Sequence, residues 1–436
     1  MRSAVFGAVV LAALAGCGGE RDGSADAVRV LFTGETMGEL EPCQCAGVMA
    51  GGLPVRGAYV GQQARPFLLL DVGCVGAGAR RFEVLRTLAA LRAMKAMGYD
   101  AANVGETELW LGGEGLRELA EVGVPLVSAN VTTEDGSPAV TTHLFLDRGA
   151  VTGVADHEHD NVGAGLRLQP PREALARLLP ALREKADTII VLADLNEAQV
   201  RALAEEFPEI TLILFRGRGD SLPPQRVNRT VIASIYGESR YIGDLTLSRD
   251  AALPEATGKA VLLEQTLGAD ERVIAAGINW YKDAVRGQTF DLGENKPGWD
   301  HLHRIEPEPG NGYVGSEACK SCHAHQYERW SGFAHAHAME SLQQAGYDWS
   351  PECVVCHVVG YGADEGYVSA AQTPQFANVG CESCHGPGRI LLNGHCKGLA
   401  RRGDVNTCLQ CHDGKHHPDF DFALALKSID HTEPKP

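Results

Sequence analysis

Four copies of the string Cys-x-x-Cys-His stand in the C-terminal part of this chain: Cys319-Lys320-Ser321-Cys322-His323, Cys353-Val354-Val355-Cys356-His357, Cys381-Glu382-Ser383-Cys384-His385 and Cys408-Leu409-Gln410-Cys411-His412. Composition alone predicts about 0.01 such strings in a chain of this make-up. Cysteines three apart on one helical turn point the same way. Both thiols can therefore bond to the two vinyl groups of one porphyrin. The histidine that follows is placed to meet the iron from the proximal side. The strings thus predict four covalent haem c groups. Cys319, Cys322, Cys353, Cys356, Cys381, Cys384, Cys408 and Cys411 are the attachment points, and His323, His357, His385 and His412 the proximal ligands. Paired CxxC strings also suit tetrahedral zinc, and an exported chain also suits disulfides. Neither alternative explains a histidine after every pair. The sixth ligands are more open. His335 and His337 lie within reach of a neighbouring haem, and His325, His395, His416, His417, His431, Met339 and Lys397 are further candidates.

These groups need an extracytoplasmic chain and elements to hold them. Arg2 precedes a run of apolar and small residues over 4–15, too short for a membrane span. Leu14-Ala15-Gly16-Cys17 follows and matches a bacterial lipobox, which predicts a signal over residues 1–17 and lipidation of Cys17. An ordinary secretory signal places the protein outside the cytoplasm equally well. The 436 residues suit two domains with linkers. Thirty-nine Lys and Arg against 56 Asp and Glu give a net charge of −17, which argues against nucleic acid and suits docking to basic partners.

Residues 28–267 alternate strand and helix signals, as a layered α/β domain does. Strands are predicted near 28–33, 66–72, 124–128, 188–192, 211–215, 230–236, 243–247 and 260–264. Phe82, Leu85, Leu88, Leu91 and Met94 mark one side of a helix over 81–97, with Gly98 as its C-cap. Further helices are predicted over 171–186 and 196–207, and one connecting helix over 270–286. Residues 268–312 join this domain to the haem-rich part, and 293–312 read as irregular. From residue 313 periodicity weakens, and a mostly helical or irregular module is expected because porphyrins fill its core.

The motifs Tyr313-Val-Gly-Ser-Glu-Ala-Cys319, Gln326-Tyr-Glu-Arg-Trp330, Pro351-Glu-Cys353, Val379-Gly-Cys381-Glu-Ser-Cys-His-Gly-Pro-Gly388 and Pro418-Asp-Phe-Asp-Phe422 resemble the cytochrome c-552/4 (cytochrome c-554-type) tetrahaem family over residues 313–436. The resemblance implies that His335 ligates another motif's haem and that His431 corresponds to the family's late histidine. It also implies that the second motif's haem lacks a protein sixth ligand. Arg389-Ile390 stand where relatives have Glu-His, and the nearest histidine is His395.

The α/β segment resembles metallophosphoesterases of the 5'-nucleotidase type. Glu35-Thr-Met37 lies at that family's Asp-x-His, Gly73-Cys74 at its Gly-Asp, and Gly105-Glu106-Thr107-Glu108 at its Gly-Asn-His-Glu. Ser128-Ala-Asn130-Val131 matches closely. Asp194 falls at an expected His, and Gly217-Arg-Gly219 at Gly-His-x-His. Glu35, Glu106, Glu108 and Asp194 retain oxygens, but no aligned position carries imidazole, so a catalytically degenerate domain is expected. Cys43, Cys45 and Cys74 fall in loops on one sheet edge, where they suit a disulfide or a soft metal. Cys396 has no evident partner. The whole predicts a membrane-anchored envelope cytochrome that exchanges electrons with partner proteins. The alternatives are an oxidoreductase acting on a nitrogen or sulfur species at an open haem, and a metal-dependent hydrolase fused to a cytochrome.

Overall fold

The computed structural model describes residues 27–42, 50–147, 149–156, 161–217, 221–237, 239–248, 253–286, 309–394, 403–413, 417 and 419–431. Its strands are β1 (Ala27–Thr33), β2 (Leu68–Asp71), β3 (Ala101–Asn103), β4 (Leu126–Val127), β5 (Val131–Thr133), β6 (His143–Leu146), β7 (Gly149–Ala155), β8 (Leu166–Leu168), β9 (Ile189–Asp194), β10 (Leu212–Arg216), β11 (Gln225–Val227), β12 (Thr230–Ile235), β13 (Tyr241–Ser248) and β14 (Ala256–Leu262). Two six-stranded sheets form, in the orders β14-β13-β1-β2-β3-β4 and β11-β12-β10-β9-β7-β6. Strands β1 to β4 run parallel, as do β7, β9, β10 and β12. The edge strands β14, β11 and β6 and the strand β13 are antiparallel additions.

The sheets pack face to face. Val30, Phe32, Leu70 and Val72 of the first region meet Ile190, Leu192, Leu212 and Leu214 of the second in one buried cluster. The side-chain alternation of a strand then turns neighbouring residues outward. Leu31 and Leu69 thus face the helix Arg81–Met97, while Ile189, Val191 and Ile213 face the helices Pro171–Arg183 and Glu197–Glu206. The result is a four-layer α/β/β/α sandwich. Asn196 caps its helix by accepting from Gln199 N at 3.0 Å, and Gly98 ends Arg81–Met97 in the left-handed region at φ 80°. The predicted connecting helix forms over residues 271–285, but its middle, Ile274–Asn279, widens to π geometry. It lies against Arg81–Met97. A Cβ on Gly277 would sit 3.0 Å from Ala89 O and 3.0 Å from Ala93 Cβ, so glycine permits this close approach.

The C-terminal part consists of short helices, including Ser316–Cys319, Ala324–Ser331, Ala338–Ala345, Pro351–His357, Cys381–His385, Arg389–Asn393, Val405–Leu409 and Phe422–Ser428. It is not a bead on a string. Met339, Leu342, Val354, Val358 and Tyr361 belong to the same apolar cluster as Leu88, Leu91 and Met94. No helix among the described residues is long and apolar enough to cross a membrane. Leu91, 1% exposed, lies inside this shared cluster. Leu91→Ala is expected to lower unfolding free energy by about 2–5 kcal/mol, measurable as a lower urea midpoint at unchanged slope.

Candidate functional site

Each Cys-x-x-Cys-His string is folded as a helical turn. His323 N donates to Cys319 O and His412 N to Cys408 O, both at 2.9 Å, closing one turn across each string. The second string lies in the helix Pro351–His357, with proline at its start, and the third in Cys381–His385. Asp404 caps the fourth by accepting from Thr407 N at 2.9 Å. The first and third strings are fastened together. The buried Glu382 carboxylate accepts from Gly315 N at 2.8 Å, Gly388 N at 2.7 Å and Val314 N at 3.0 Å. Burial raises its pKa, and these backbone donors oppose the rise. Ser316 Oγ accepts from Cys381 N at 3.1 Å. The second and fourth strings approach each other as well: Cys356 Sγ lies 3.9 Å from Gln410 O, and Cys411 Sγ 4.0 Å from Cys356 O.

Two cavities lie over these turns. One of about 290 Å³ is lined by Cys319, His323, Cys381, Cys384, His385 and His431. The other, about 1140 Å³, is lined by Cys356, His357, Cys408, Cys411, His412 and His335. Two imidazoles on opposite sides of one metal, each with a metal–nitrogen bond of about 2 Å, put their ring centres roughly 6 Å apart. His385 and His431 lie 6.0 Å apart, and His335 and His412 6.1 Å. The third and fourth strings therefore fit haem: both thiols of each line a cavity, with an imidazole beside them and a second imidazole facing it, while the first string brings Cys319 and His323 to these walls and the second Cys356 and His357. Burial, with the neighbouring His357, pushes the His335 pKa down, and burial with His335 and His417 does the same for His412. Both rings are thus held neutral, the form that ligates.

Ring orientation is fixed from behind. His357 Nδ1 lies 2.7 Å from Ala338 O, which leaves Nε2 for a metal. His412 Nδ1 lies 3.0 Å from His417 Nδ1, so His417 supports a proximal ring rather than facing an iron from this position. Phe420 stacks on His412 at 4.7 Å. His337 turns both nitrogens elsewhere, to Glu340 Oε1 at 2.9 Å and Ser331 O at 3.1 Å. Met339 is buried in the apolar cluster. His325 lies on the helix Ala324–Ser331. His395, Cys396, Lys397 and His416 lie outside the described residues, as do Cys17, Cys43 and Cys45.

The α/β domain has its own polar convergence. The C-terminal ends of β1, β2, β3, β9 and β10 bring Glu35, Cys74, Glu106, Asp194 and Arg216 to one edge. Arg216, 13% exposed, fills the middle. Its Nε lies 3.2 Å from Asp194 Oδ1, and its Nη2 3.4 Å from Glu106 Oε2. Its Nη1 lies 3.9 Å from Glu35 Oε1 and 3.5 Å from Cys74 Sγ. Burial lowers the Arg216 pKa, but Cys74 and the three carboxylates more than reverse this, so it stays charged. Glu108 lies beside this group and is taken up by backbone donors. It accepts from Cys74 N, Gly105 N and Gly76 N at 2.8–3.0 Å, and burial pushes it up to about 7. Cys74 is a free thiol whose pKa burial raises well above the usual range. Among the described residues, no three His, Cys, Asp or Glu side chains converge in a metal-binding arrangement.

Residues 318–386, which hold the first three strings, match the family model described as "Cytochrome c554 and c-prime". Solved structures match the rest of the architecture. The calcineurin-like phosphoesterase YfkN from Bacillus subtilis is 18% identical with a TM-score of 0.51, and the match covers 59% of this chain and 97% of that one. A 5'-nucleotidase precursor from Thermus thermophilus is 18% identical with a TM-score of 0.52, over 73% and 68%. The Thermus thermophilus sulfate thiohydrolase SoxB is 17% identical with a TM-score of 0.51, over 68% of each. No curated protein matches the chain. The chain joins a phosphoesterase fold to a cytochrome c554-type segment. At these identities the structural likeness speaks to the fold alone.

That fold usually serves chemistry that needs metal ions held by Asp, His and Asn. The phosphoesterase-like domain here does not fit such ions, because a guanidinium takes the place between its carboxylates. The family resemblance points to Glu35, Glu106 and Asp194 but passes over Arg216. The available signal is a basic residue at the end of β10, directly before Gly217. Arg216→Met is expected to leave three crowded carboxylates and cost about 3–5 kcal/mol at neutral pH. Crowded carboxylates have folded-state pKa values raised above the unfolded ones. The deficit is therefore full above the raised values and shrinks as pH falls through them. Thermal unfolding of the variant and the parent from pH 7.5 to 4.5 measures this.

Proposed function

We propose that this protein is a tetrahaem c-type cytochrome of the cell envelope, with the phosphoesterase-like domain as its scaffold and docking module. The observation that carries this reading is the pairing of His385 with His431 and His335 with His412 across cavities lined by Cys-x-x-Cys-His turns. Haem c, when bound at these residues, would supply one-electron chemistry.

The chain's own residues supply the rest. Paired thiols at Cys319/Cys322, Cys353/Cys356, Cys381/Cys384 and Cys408/Cys411 hold the groups without a large protein wrapping. His335 and His431 are the residues that would hold two of the irons from the side opposite His412 and His385, an arrangement that would suit electron transfer rather than substrate binding. The Glu382 clamp keeps the first and third strings adjacent, and the contact between Cys411 and Cys356 keeps the second and fourth adjacent. Closely spaced centres allow electrons to pass with no protein motion. The net charge of −17 favours partners that present a basic surface. Cys17, as a lipidated N-terminus, would hold the protein at a membrane without a spanning helix. A hydrolase reading has little to support it, because Arg216 occupies the pocket that metal ions would need.

The pyridine haemochrome of the exported holoprotein is expected to give four haems per chain. His431→Ala and His335→Ala should each convert one low-spin centre to high spin in the electron paramagnetic resonance spectrum and open one site to CO. A wild-type protein that carries zinc, or no porphyrin mass, would remove the cytochrome reading.

A further inference from the structure

We propose that Arg86 and Glu352 form a charge pair through which the phosphoesterase-like domain sets the reduction potential of the haem held by Cys353, Cys356 and His357. The inference rests on the cytochrome reading and goes beyond it, because it names which residues of the other domain act on which centre.

Glu352 directly precedes Cys353 and lies in the first turn of the helix Pro351–His357. Its carboxylate is 14% exposed. It accepts from Tyr281 OH at 2.7 Å and from Ser350 Oγ at 2.5 Å. Arg86, 17% exposed, reaches it from the helix Arg81–Met97, with Nε 3.1 Å from Oε1. Tyr281 is 2% exposed and meets Trp349 edge-on at 5.8 Å. Val354, on the next position but one, is 4% exposed in the shared apolar cluster. A cation and an anion are thus fixed in an apolar seam, one residue from a sulfur that bonds the porphyrin. Burial pulls the Arg86 pKa down, and the facing Glu352 carboxylate, helped by Tyr281 and Glu39, more than offsets this, so the guanidinium stays charged.

Packing alone does not require this pair. Apolar side chains of similar volume fill such a seam at no greater cost, because burying two ions carries a large desolvation penalty. What the pair supplies is charge in a place where water screens it weakly. Ferric iron carries one more positive charge than ferrous iron. A nearby anion therefore favours the ferric state and lowers the potential, and a nearby cation raises it. In the intact protein the two charges largely cancel. Neutralising either one exposes the other to the iron, so the two single variants must move the potential in opposite directions. No bond forms or breaks; the only change is one electron taken from or given to an external redox mediator.

The test uses full-length holoprotein and its isosteric variants Arg86→Gln and Glu352→Gln in a spectroelectrochemical titration with soluble mediators. Arg86→Gln is expected to lower the midpoint of one component of the titration curve, and Glu352→Gln to raise the midpoint of the same component. The double variant should return it toward the wild-type value, and Arg86→Lys should hold it there. Should Arg86→Gln fail to accumulate, Glu352→Gln and Arg86→Lys carry the test with the same expectations. A merely structural pair would loosen the helix in both variants and shift both midpoints the same way, or leave all midpoints unchanged. Either result, with the haemochrome count intact, overturns the inference. A wild-type protein without haem overturns the cytochrome reading instead, so the two failures are distinguishable.

Discussion

Charge that is buried must be compensated nearby, and this constraint decides what each half of the molecule has become. Parallel strands β1, β2, β3, β9 and β10 all end at one edge of the sandwich, so their following residues are forced together. Asp194 and Glu35 meet there largely out of bulk water, 2% and 14% exposed, with Glu106, 31% exposed, at the rim. Isolated carboxylates would be too costly in that place. In a two-metal hydrolase the compensating charge is a pair of ions. Here it is Arg216, covalently part of β10 and therefore always present. A guanidinium satisfies the carboxylates electrostatically but offers no open coordination position.

The C-terminal part faces the complementary problem. Its helices are short, and two cavities occupy the space where a soluble domain would place side chains. Such a segment cannot bury enough apolar surface by itself. It rests on the α/β domain through Met339, Leu342 and Val354, and the proposed porphyrins would complete its core. Glu382 shows the consequence. Its carboxylate is 3% exposed, yet it holds three backbone donors that no strand or long helix would satisfy. Local polar contacts replace regular secondary structure where the chain must bend around a large flat group.

Much of this is legible in the residues. The helix over 81–97 and its glycine cap follow from periodicity, because Leu85, Leu88 and Leu91 repeat on one face. Most parallel strands are readable as apolar runs, although the short Ala101–Asn103 and the hairpin of His143–Leu146 and Gly149–Ala155 escape such a reading. The Cys-x-x-Cys-His spacing encodes its geometry locally, so a turn is enough to read it. What stays hidden is non-local. Nothing near His412 in sequence indicates that His335 stands 6.1 Å from it, and nothing in β10 says that Arg216 turns inward. By spacing His417 is one more candidate ligand, whereas its contact with His412 Nδ1 makes it a support for the ring. The π segment Ile274–Asn279, whose Gly277 lies against Ala89 and Ala93, is likewise invisible to periodicity.

The helix Arg81–Met97 gives the fusion a physical rationale. Its N-terminal end receives the loop that leaves Cys74: Ala77 N donates to Thr87 Oγ1 at 3.3 Å. Arg80 and Glu83 form a buried pair at 2.6 Å in its first turn. One turn further on, Arg86 crosses into the cytochrome part. One helix therefore touches both the loop that follows Cys74 and the residue that precedes the second attachment motif. If the domains were independent, neither would need a buried cation at their seam, and an apolar contact would serve. Under the proposed function, the phosphoesterase-like domain, with its strands and this helix, would act as a frame of fixed charge beside a redox centre. That use requires rigidity and a low dielectric, which the phosphoesterase sandwich retains.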